Sequence, residues 1–393
     1  MKFNRKQAIL PHLFPHRVLI IYGPRRVGKT TLLKKYLTSQ ADKKVFYATG
    51  DDITLRRLFG SEEQKQILDF ARPYEIIGID EAQQIAKIGI GAKIIIDAFP
   101  EKILILTGSS SFDLSREIGE PLTGRHFTLS LYPLAQVEME ASTFELKNHL
   151  EDFLIYGSYP EVLLEPDNSI KVKILTELVS SYLFKDVLAL DRIRSPDLLL
   201  DIVKCLAFQV GSEVSQSEIA TTVKTDPKTV GRYLDLLEKM FVIKRVRAFS
   251  RNLRNEISKK AKYYFLDNGV RNAVIASFNP LSSRDDVGKL WKNFVYSELL
   301  KQSAIADKPD NYYFWRTHTG QEIDLIKEQG TAVEAIECKW SAGKIAAPTK
   351  WRQTYPEAIF RAITKDDYPE AFLLWLSLIK FYTSHSLDFF LIS

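Results

Sequence analysis

Eight consecutive residues near the start of the chain have the types and spacing of a phosphate-binding loop. They fit the pattern G-x-x-x-x-G-K-[ST] between a strand pattern and a helical pattern, and they are Gly23, Pro24, Arg25, Arg26, Val27, Gly28, Lys29 and Thr30. Backbone N–H groups of such a loop bind phosphate oxygens, while Lys29 would neutralise the β and γ phosphates and Thr30 would ligate Mg²⁺. We predict that these residues and Thr31 bind ATP, with Mg²⁺ as a further cofactor. The alternative, a structural glycine-rich turn, is disfavoured by the complete match in the required context.

Two adjacent carboxylates follow the apolar run at residues 76–79. Asp80 would hold Mg²⁺ through water, and Glu81 would polarise the attacking water. Two acids after a strand can instead cap the next helix. The phosphate loop upstream favours the catalytic interpretation, in which Lys29 and Glu81 carry the chemistry.

A second set of acids lies in the last third of the chain. Asp324 stands thirteen residues before Glu337, and Glu337 shares one face of a predicted strand with Lys339, because side chains alternate along a strand. Two carboxylates and a lysine on neighbouring strands can hold Mg²⁺ and activate water against a phosphodiester, and Glu298 on a predicted helix would add another acid. The arrangement resembles that of PD-(D/E)xK nucleases. Two interpretations stay open, an active metal-dependent nuclease and a nuclease fold kept for binding.

The middle of the chain combines a helix-turn-helix pattern with clustered basic residues. Residues 215–223 and 227–240 predict two helices joined by a tight turn, and residues 242–249 predict a strand, which together indicate a winged helix. Between Lys244 and Lys262 there are eight basic residues and one acid, and clustered cations attract a phosphate backbone. The predicted nucleic-acid contacts are Lys228, Thr229, Arg232, Lys244, Arg245, Arg247, Arg251 and Arg254. The alternative is a winged helix that only packs against the core or against other subunits.

Short apolar runs alternate with helical patterns in the first third of the chain, and these elements must position the loop and the acids. The runs span residues 18–22, 45–48, 76–79, 103–106 and 127–131. Continuous β-branched runs flanked by helices indicate a parallel sheet buried on both faces. We predict an α/β fold in four segments: a P-loop ATPase core at 1–140, a helical lid at 141–195, a winged helix at 196–262 and a small α/β nuclease-like domain at 263–393.

A series of motifs resembles the AAA-type ATPases of bacteria and archaea. In chain order they are GPRRVGKTTLL, IDEAQ, LTGSSSF, and LTGR followed by LSLYPL. With YGSYPEVL and YYFLDNGVRNAV, the chain resembles more narrowly the group that carries the domain of unknown function 4143 at its carboxyl terminus. The resemblance implies an AAA-type parallel-sheet ATPase domain, a helical and winged-helix middle, and a PD-(D/E)xK nuclease-like end. Only the tail from Phe372 onward departs from the family pattern.

Two residues gain candidate catalytic roles from this resemblance. Ser109 follows the predicted fourth strand, where a hydroxyl group lies beside the γ-phosphate in AAA-type ATPases; the alternative is an ordinary helix N-cap. Arg125 precedes the fifth strand and would be an arginine finger, which stabilises charge on the transferring phosphoryl group. A surface arginine is the alternative, and the sequence leaves open whether Arg125 would act on its own nucleotide or on a neighbour's.

Composition excludes several classes of protein. The chain of 393 residues is 45% hydrophobic and 26% charged, which argues against long disorder. No apolar run approaches the roughly 20 residues that span a bilayer, and the first residues lack a signal-peptide core, so we expect a cytoplasmic protein with no membrane partner. Cys205 and Cys338 cannot by themselves build a disulfide framework or a zinc site. The net charge of +5 is smaller than the +7 carried by residues 244–262 alone.

Two hypotheses about function follow from these patterns. The leading one is an ATP-hydrolysing AAA-type protein that acts on nucleic acid, with DNA as the expected partner and a homo-oligomer as a possible assembly. The rival is an ATP-dependent signalling or assembly switch whose winged-helix and nuclease-like domains bind only protein partners. A dinucleotide-dependent enzyme is disfavoured, because the loop has the P-loop pattern and lacks G-x-G-x-x-G.

Overall fold

A computed structural model describes residues 2–109, 122–180, 195–249, 261–308, 310–341, 343 and 345–373. The contacts divide the chain into two units, each with its own sheet. Gln7–Tyr132 with Lys239–Phe241 form one, here called the P-loop unit, and the rest of the chain forms the second unit. No helix in the described ranges has both the length and the apolar character needed to cross a membrane.

A five-stranded parallel sheet forms the centre of the P-loop unit. Its strands are β1 (Val18–Tyr22), β2 (Val45–Thr49), β3 (Ile76–Asp80), β4 (Ile103–Gly108) and β5 (His126–Ser130). They lie in the order β2-β3-β4-β1-β5, and every neighbouring pair is parallel. The helices described in this unit are α1 (Lys29–Thr38), α2 (Ile53–Gly60), α3 (Gln64–Ala71) and α4 (Ile88–Ala98). The strands fall on the predicted apolar runs, which confirms the α/β fold class.

Burial of whole strands explains why this sheet forms and where its functional edge lies. All five residues of β1 and of β3 are buried, as expected for a parallel sheet covered on both faces. The register aligns Tyr22 of β1 with Gly108 of β4, and Ile79 of β3 with Leu106 of β4. Because parallel strands end at the same edge, the residues that follow β1, β3 and β4 are brought together there.

The second unit combines helices with a seven-stranded sheet. Its first elements are α5 (Thr143–Asn148), α6 (Leu150–Tyr156), α7 (Pro160–Leu164), α8 (Asn168–Val179), α9 (Pro196–Phe208), β6 (Glu213–Val214), α10 (Gln216–Thr222), α11 (Pro227–Lys239), β7 (Ile243–Ala248) and β8 (Ala261–Phe265). Its last elements are α12 (Asn268–Val274), α13 (Val287–Ile305), β9 (Asn311–Arg316), β10 (Glu322–Gln329), β11 (Ala332–Lys339), α14 (Thr349–Thr354) and β12 (Ile359–Thr364). Helix α13 packs its aromatic residues Trp291, Phe294 and Tyr296 into the main core of this unit.

One sheet connects the middle of the chain with its carboxyl-terminal part. The strand order is β12-β11-β10-β9-β7-β8-β6, and β7 joins β9 through the parallel pairs Arg247 with Tyr313 and Ala248 with Phe314. The helices and strands from α9 to β8 follow the predicted order, and the domain boundary predicted at 262/263 falls inside β8. Residues 250–260, which include two predicted contacts, lie outside the described residues, as does the tail from residue 374.

Candidate nucleotide-binding site

The phosphate loop begins where β1 ends and finishes at the first residue of α1. Gly23 allows a close approach of two backbone segments, because a Cβ atom there would lie 2.0 Å from the carbonyl oxygen of Leu131. Gly28 has φ +96°, a left-handed conformation that side chains with a Cβ atom rarely adopt. These two positions explain why the pattern needs glycine at both ends of the loop.

Lys29 places its ammonium group inside the loop. Its Nζ donates hydrogen bonds to the carbonyl oxygens of Gly23 at 2.9 Å and of Pro24 at 2.8 Å, and the residue is 4% exposed. It is also the first residue of α1, where the helix N–H groups and the helix dipole favour an anion. A fixed positive charge therefore lies beside a ready-made phosphate site.

Asp80 at the end of β3 is held by hydroxyl groups from two other elements. Thr30 Oγ1 donates to Asp80 Oδ2 at 2.5 Å, and Thr107 Oγ1 donates to Asp80 Oδ1. The pKa of Tyr47 is raised, mainly because this residue is partly buried. The negative charge of Asp80 and its hydrogen bond with Tyr47 raise the pKa further. The Asp80 carboxylate is 3% exposed, and the hydroxyl groups of Thr30 and Thr107 that donate to it carry no charge. A carboxylate and a hydroxyl are the oxygen ligands that Mg²⁺ prefers, so Thr30 and Asp80 fit this cofactor.

Glu81 adopts a strained backbone conformation next to Asp80. Its φ is +49°, which is uncommon for a residue other than glycine and is found at functional sites. The strain is held by Thr107 Oγ1, which accepts the Glu81 N–H at 3.1 Å, and by a hydrogen bond of 2.7 Å from the Gly50 N–H to the Asp80 carbonyl oxygen. A Cβ atom at Gly50 would lie 2.2 Å from the Glu81 carbonyl oxygen, so only glycine fits there.

Three residues of this site were not among the predicted site residues. Thr107 binds Asp80 and Glu81, as described, and Gly50 supports their backbone. Gln83 Nε2 donates to Glu81 Oε2 at 2.5 Å and lies 3.4 Å from Ser109 Oγ. The signals were present in the sequence, because Thr107 directly follows the fourth apolar run and Gln83 is the last letter of IDEAQ. The structure thus connects Ser109 to Glu81 through Gln83.

Arg125 lies at the opposite edge of the sheet from this site. It immediately precedes β5, whose first residue pairs with Val18 at the start of β1, whereas the loop follows the end of β1. The length of a five-residue strand, about 13 Å, separates the two edges. Arg125 Nε binds Asp97 Oδ1 at 2.9 Å, in an ion pair whose side chains are 41% and 45% exposed. The structure therefore does not bring Arg125 to the phosphate loop of its own chain, and only the option of a neighbour's nucleotide stays a prediction.

Comparison with protein families supports this geometry. Residues 15–140 match an AAA domain. The match, the parallel sheet and the loop after β1 give this unit the fold of a P-loop AAA-type ATPase. Residues 147–281 match a Domain of unknown function (DUF8612), and residues 287–358 match a Domain of unknown function (DUF4143). The resemblance to AAA-type ATPases with a carboxyl-terminal domain of unknown function 4143 is confirmed for these two segments.

The relatives span most of the chain. An uncharacterized protein of Haemophilus influenzae is 26% identical over 345 residues, which cover 81% of this chain and 82% of that protein. One of Methanocaldococcus jannaschii is 25% identical over 341 residues, or 80% and 73% of the two chains. AMPPCP-bound DnaA from Aquifex aeolicus matches at 17% identity over 57% of this chain and 82% of its own, with a TM-score of 0.27. Domain III of the Thermotoga maritima replication initiation protein DnaA matches at 17% over 56% and 85%, with a TM-score of 0.25. TM-scores this low support no conclusion about function.

Outside the AAA domain, Asp324 and Glu337 are bound by lysines. Asp324 is 2% exposed; its Oδ1 binds Lys292 Nζ, and its Oδ2 accepts the N–H of Cys338 at 3.0 Å. Glu337 Oε1 lies 2.7 Å from Lys339 Nζ, and its Oε2 lies 3.4 Å from the Asp324 N–H. The two predicted acids are thus neighbours, but both oxygens of Asp324 are already bound within the protein.

Glu298 is not brought to these two acids. It is fully buried, where Oε2 accepts the Gln136 N–H at 2.7 Å and Oε1 binds Lys301 Nζ at 2.8 Å. Lys301 also donates to Ser158 Oγ, a residue of the YGSYPEVL motif. Burial raises the pKa of Glu298, and the charge of Lys301 opposes this shift. Among the described residues, no three side chains of the His, Cys, Asp and Glu types come together as a metal site, and Glu298 serves instead to connect α13 with neighbouring segments.

The predicted nucleic-acid residues divide into exposed and paired groups. Lys228, Arg232 and Arg247 are exposed, whereas the hydroxyl of Thr229 donates to Asp226 at 2.6 Å. Lys244 lies 3.1 Å from Glu238, and Arg245 is paired with Asp235, both acids being on α11. Lys262, counted in the basic segment, is 1% exposed and paired with Glu322. Arg251 and Arg254 lie outside the described residues. The described part of this surface is therefore less basic than its sequence.

Proposed function

We propose that this chain binds and hydrolyses ATP in its AAA domain and acts on nucleic acid. The observation that carries the first part is the hydrogen bond between Thr30 and Asp80. It joins the start of α1 to the end of β3 and so brings together the phosphate loop, a magnesium-ligand pair and the adjacent Glu81.

In this proposal each residue of the site has a distinct part in hydrolysis. Lys29 and the N–H groups at the start of α1 bind and orient the phosphates. Thr30 and Asp80 would hold Mg²⁺, which would neutralise phosphate charge. Glu81 accepts a proton from water as the water oxygen bonds to the γ-phosphorus. The bond between that phosphorus and the bridging oxygen breaks, ADP leaves with this oxygen, and Glu81 returns the proton to solvent.

Replacement of Lys29 by alanine tests the ATPase proposal. We expect turnover of ATP by the purified full chain to fall by at least about 100-fold, because charge stabilisation at the phosphates is lost. Lys65→Ala, at an exposed position of α3, is the matched control and should hydrolyse ATP like the wild type. A Lys29→Ala protein with wild-type turnover would remove the assignment.

The nucleic-acid part of the proposal rests on the exposed cations Lys228, Arg232 and Arg247. We expect binding of duplex DNA that weakens steeply with salt, because cations displaced from phosphates are released to solution. Reversal of the three charges to glutamate should weaken binding, whereas reversal at exposed Lys173 of α8 should not. Equal affinities of the two variants would contradict this surface, and stimulation of ATP turnover by DNA would support its coupling to the AAA domain.

In the second unit, the same proposal treats the nuclease-like fold as one kept for binding and not for cleavage. The reason is that Lys292 and the Cys338 N–H already bind both oxygens of Asp324. We therefore expect no Mg²⁺-dependent cleavage of DNA by the purified chain. Cleavage that is lost in Glu337→Ala would contradict this and assign Asp324, Glu337 and Lys339 to a nuclease site.

The second candidate function is an ATP-dependent switch that binds protein partners. The ion pairs of Lys244 and Arg245 with α11, and the burial of Lys262, favour it, because they neutralise basic charge with acids of the same chain. Absence of DNA binding at low salt, with ATP turnover intact, would select this candidate.

A homo-oligomer is proposed with either function if Arg125 acts on a neighbour's nucleotide. Loss of ATP turnover in Arg125→Ala that is restored by mixing with Lys29→Ala protein would support this assembly.

A further inference from the structure

Gln83 lies in the short turn Ala82–Gln84, directly after Asp80, which ends β3, and Glu81. Its amide nitrogen Nε2 donates to Glu81 Oε2 and lies 3.4 Å from the hydroxyl oxygen of Ser109. Ser109 is 3% exposed and follows the last residue of β4. One side chain thus connects the carboxylate after β3 with the hydroxyl after β4.

The orientation of this amide is fixed by chemistry. An ionised carboxylate only accepts hydrogen bonds, so the nitrogen of Gln83 must face Glu81 and its oxygen must face away. Within the described residues, the oxygen Oε1 is buried and accepts no hydrogen bond. A buried acceptor left without a donor is unfavourable, and this favours a water molecule or another donor beside the carboxylate.

The backbone and the side chain of Glu81 are held separately. Thr107 and Gly50 hold its backbone through hydrogen bonds to the main chain of residues 80 and 81. Gln83 holds the carboxylate, through a hydrogen bond to its Oε2 atom. Removing the Gln83 amide should therefore release the carboxylate without changing the phosphate loop or the Thr30–Asp80 pair.

We propose that Gln83 is a positioning residue for ATP hydrolysis, which holds the Glu81 carboxylate toward the attacking water and couples it to Ser109. The inference rests on the proposed ATPase function and adds a residue to it. Glu81 remains the group that takes the proton. By binding Oε2 of Glu81, Gln83 fixes the position of the other carboxylate oxygen, Oε1. Ser109 acts at the far end of this connection, so a shift of the Ser109 hydroxyl is transmitted to Glu81 through the amide.

Replacement of Gln83 tests the proposal through a split between binding and turnover. In Gln83→Ala we expect kcat to fall about 10- to 100-fold, the loss typical of a reacting group displaced by about 1 Å, with the Kd for ATP within about twofold. Gln84→Ala, one position along the same turn and exposed, is the matched control and should keep both constants. Ser109→Ala should lower kcat in the wild type and have little further effect in Gln83→Ala, because the two side chains act through one connection.

The pH profile supplies a readout that a merely structural role would not move. In Gln83→Glu the new carboxylate lies beside that of Glu81, and the repulsion between the two charges raises the higher of their two pKa values. We expect the acidic limb of its kcat profile to move to higher pH, and Gln83→Asn to recover part of the kcat lost in Gln83→Ala.

The possible outcomes separate the inference from the function on which it rests. Wild-type kcat and pH profiles in the Gln83 variants, with Glu81→Gln inactive, would overturn the inference and leave the ATPase intact. Parallel losses of kcat, ATP affinity and thermal stability would overturn it as well, since they indicate general damage. A wild-type protein without ATP turnover would instead overturn the proposed function.

Discussion

Asp80 and Asp324 are both nearly fully buried aspartates on strands, at 3% and 2% exposure, yet their partners differ in charge. Asp80 accepts hydrogen bonds from neutral hydroxyl groups, among them those of Thr30 and Thr107. Asp324 is bound by the ammonium group of Lys292. Neutral donors orient a carboxylate and leave its charge for a cation, whereas a lysine cancels that charge inside the protein. The comparison indicates that the partners of an acid distinguish a ligand site from a structural ion pair.

The largest expected effect is on the acid beside Asp80. Glu81→Gln keeps the shape of the side chain and removes its basicity, so we expect ATP turnover to fall by about 10²- to 10⁴-fold. Glu75→Gln, at the exposed opposite end of the same strand, is the control. Steady-state phosphate release measures the turnover of both variants. A Glu81→Gln protein with more than a tenth of wild-type turnover would contradict the assignment of Asp80 and Glu81 to a catalytic site.

The second effect is on the stability of the second unit. Lys292→Met leaves the charge of Asp324 buried without its lysine, and we expect a loss of about 2 kcal/mol in the free energy of unfolding. Lys339→Met removes the partner of the more exposed Glu337 and should cost less than about 0.5 kcal/mol.

Tryptophan fluorescence can measure this difference during urea unfolding. All five tryptophans of the chain lie after residue 242, so their signal reports the second unit. Equal losses in the two variants would show that Asp324 does not depend on Lys292 for its charge.

The smallest effect concerns Asp286, another acid of the second unit that is paired with bases. Burial opposes its ionisation, but Arg284 and Arg271 outweigh burial and lower its pKa to about 2. Because the folded pKa is below the unfolded one, the stability it contributes is present above about pH 4 and is lost as the pH falls through about 2.

In Asp286→Asn we therefore expect a flatter decline of unfolding free energy between pH 4 and 2, by about 1 kcal/mol once solvent screening is allowed for. The exposed neighbour Asp285, changed to Asn, should retain the wild-type slope. Identical slopes in all three proteins would remove Asp286 from the set of paired acids.

Local patterns account for most of the elements and for the core of the nucleotide site. The five strands of the AAA domain and the positions of Lys29, Thr30 and Asp80 follow from apolar periodicity and one motif. The position of Arg125 was also accessible, because a residue that precedes a parallel strand must lie at the edge opposite to a loop that follows one. The place of Arg125 in the order of family motifs does not indicate at which edge of the sheet it lies.

Features that depend on distant residues were not predictable from periodicity. Strand β12 is not among the predicted strands, and it is only partly buried, with its first residue, Ile359, 65% exposed. The pairing of Lys244 and Arg245 with α11 removes charge that the composition of residues 244–262 suggested was available. Glu298 carried the right side chain for a metal site, but its partner Lys301 lies one helical turn away and fixes it in the core.

The pairing of β7 with β9 determines how this chain can be divided. A cut at 262/263, where the sequence suggests a boundary, would split β8 and leave the edge of β9 without a partner. An exposed strand edge is a template for aggregation. Fragments used for expression, or exchanged between related proteins, should therefore keep residues 196–373 together, so that the sheet is inherited as one piece.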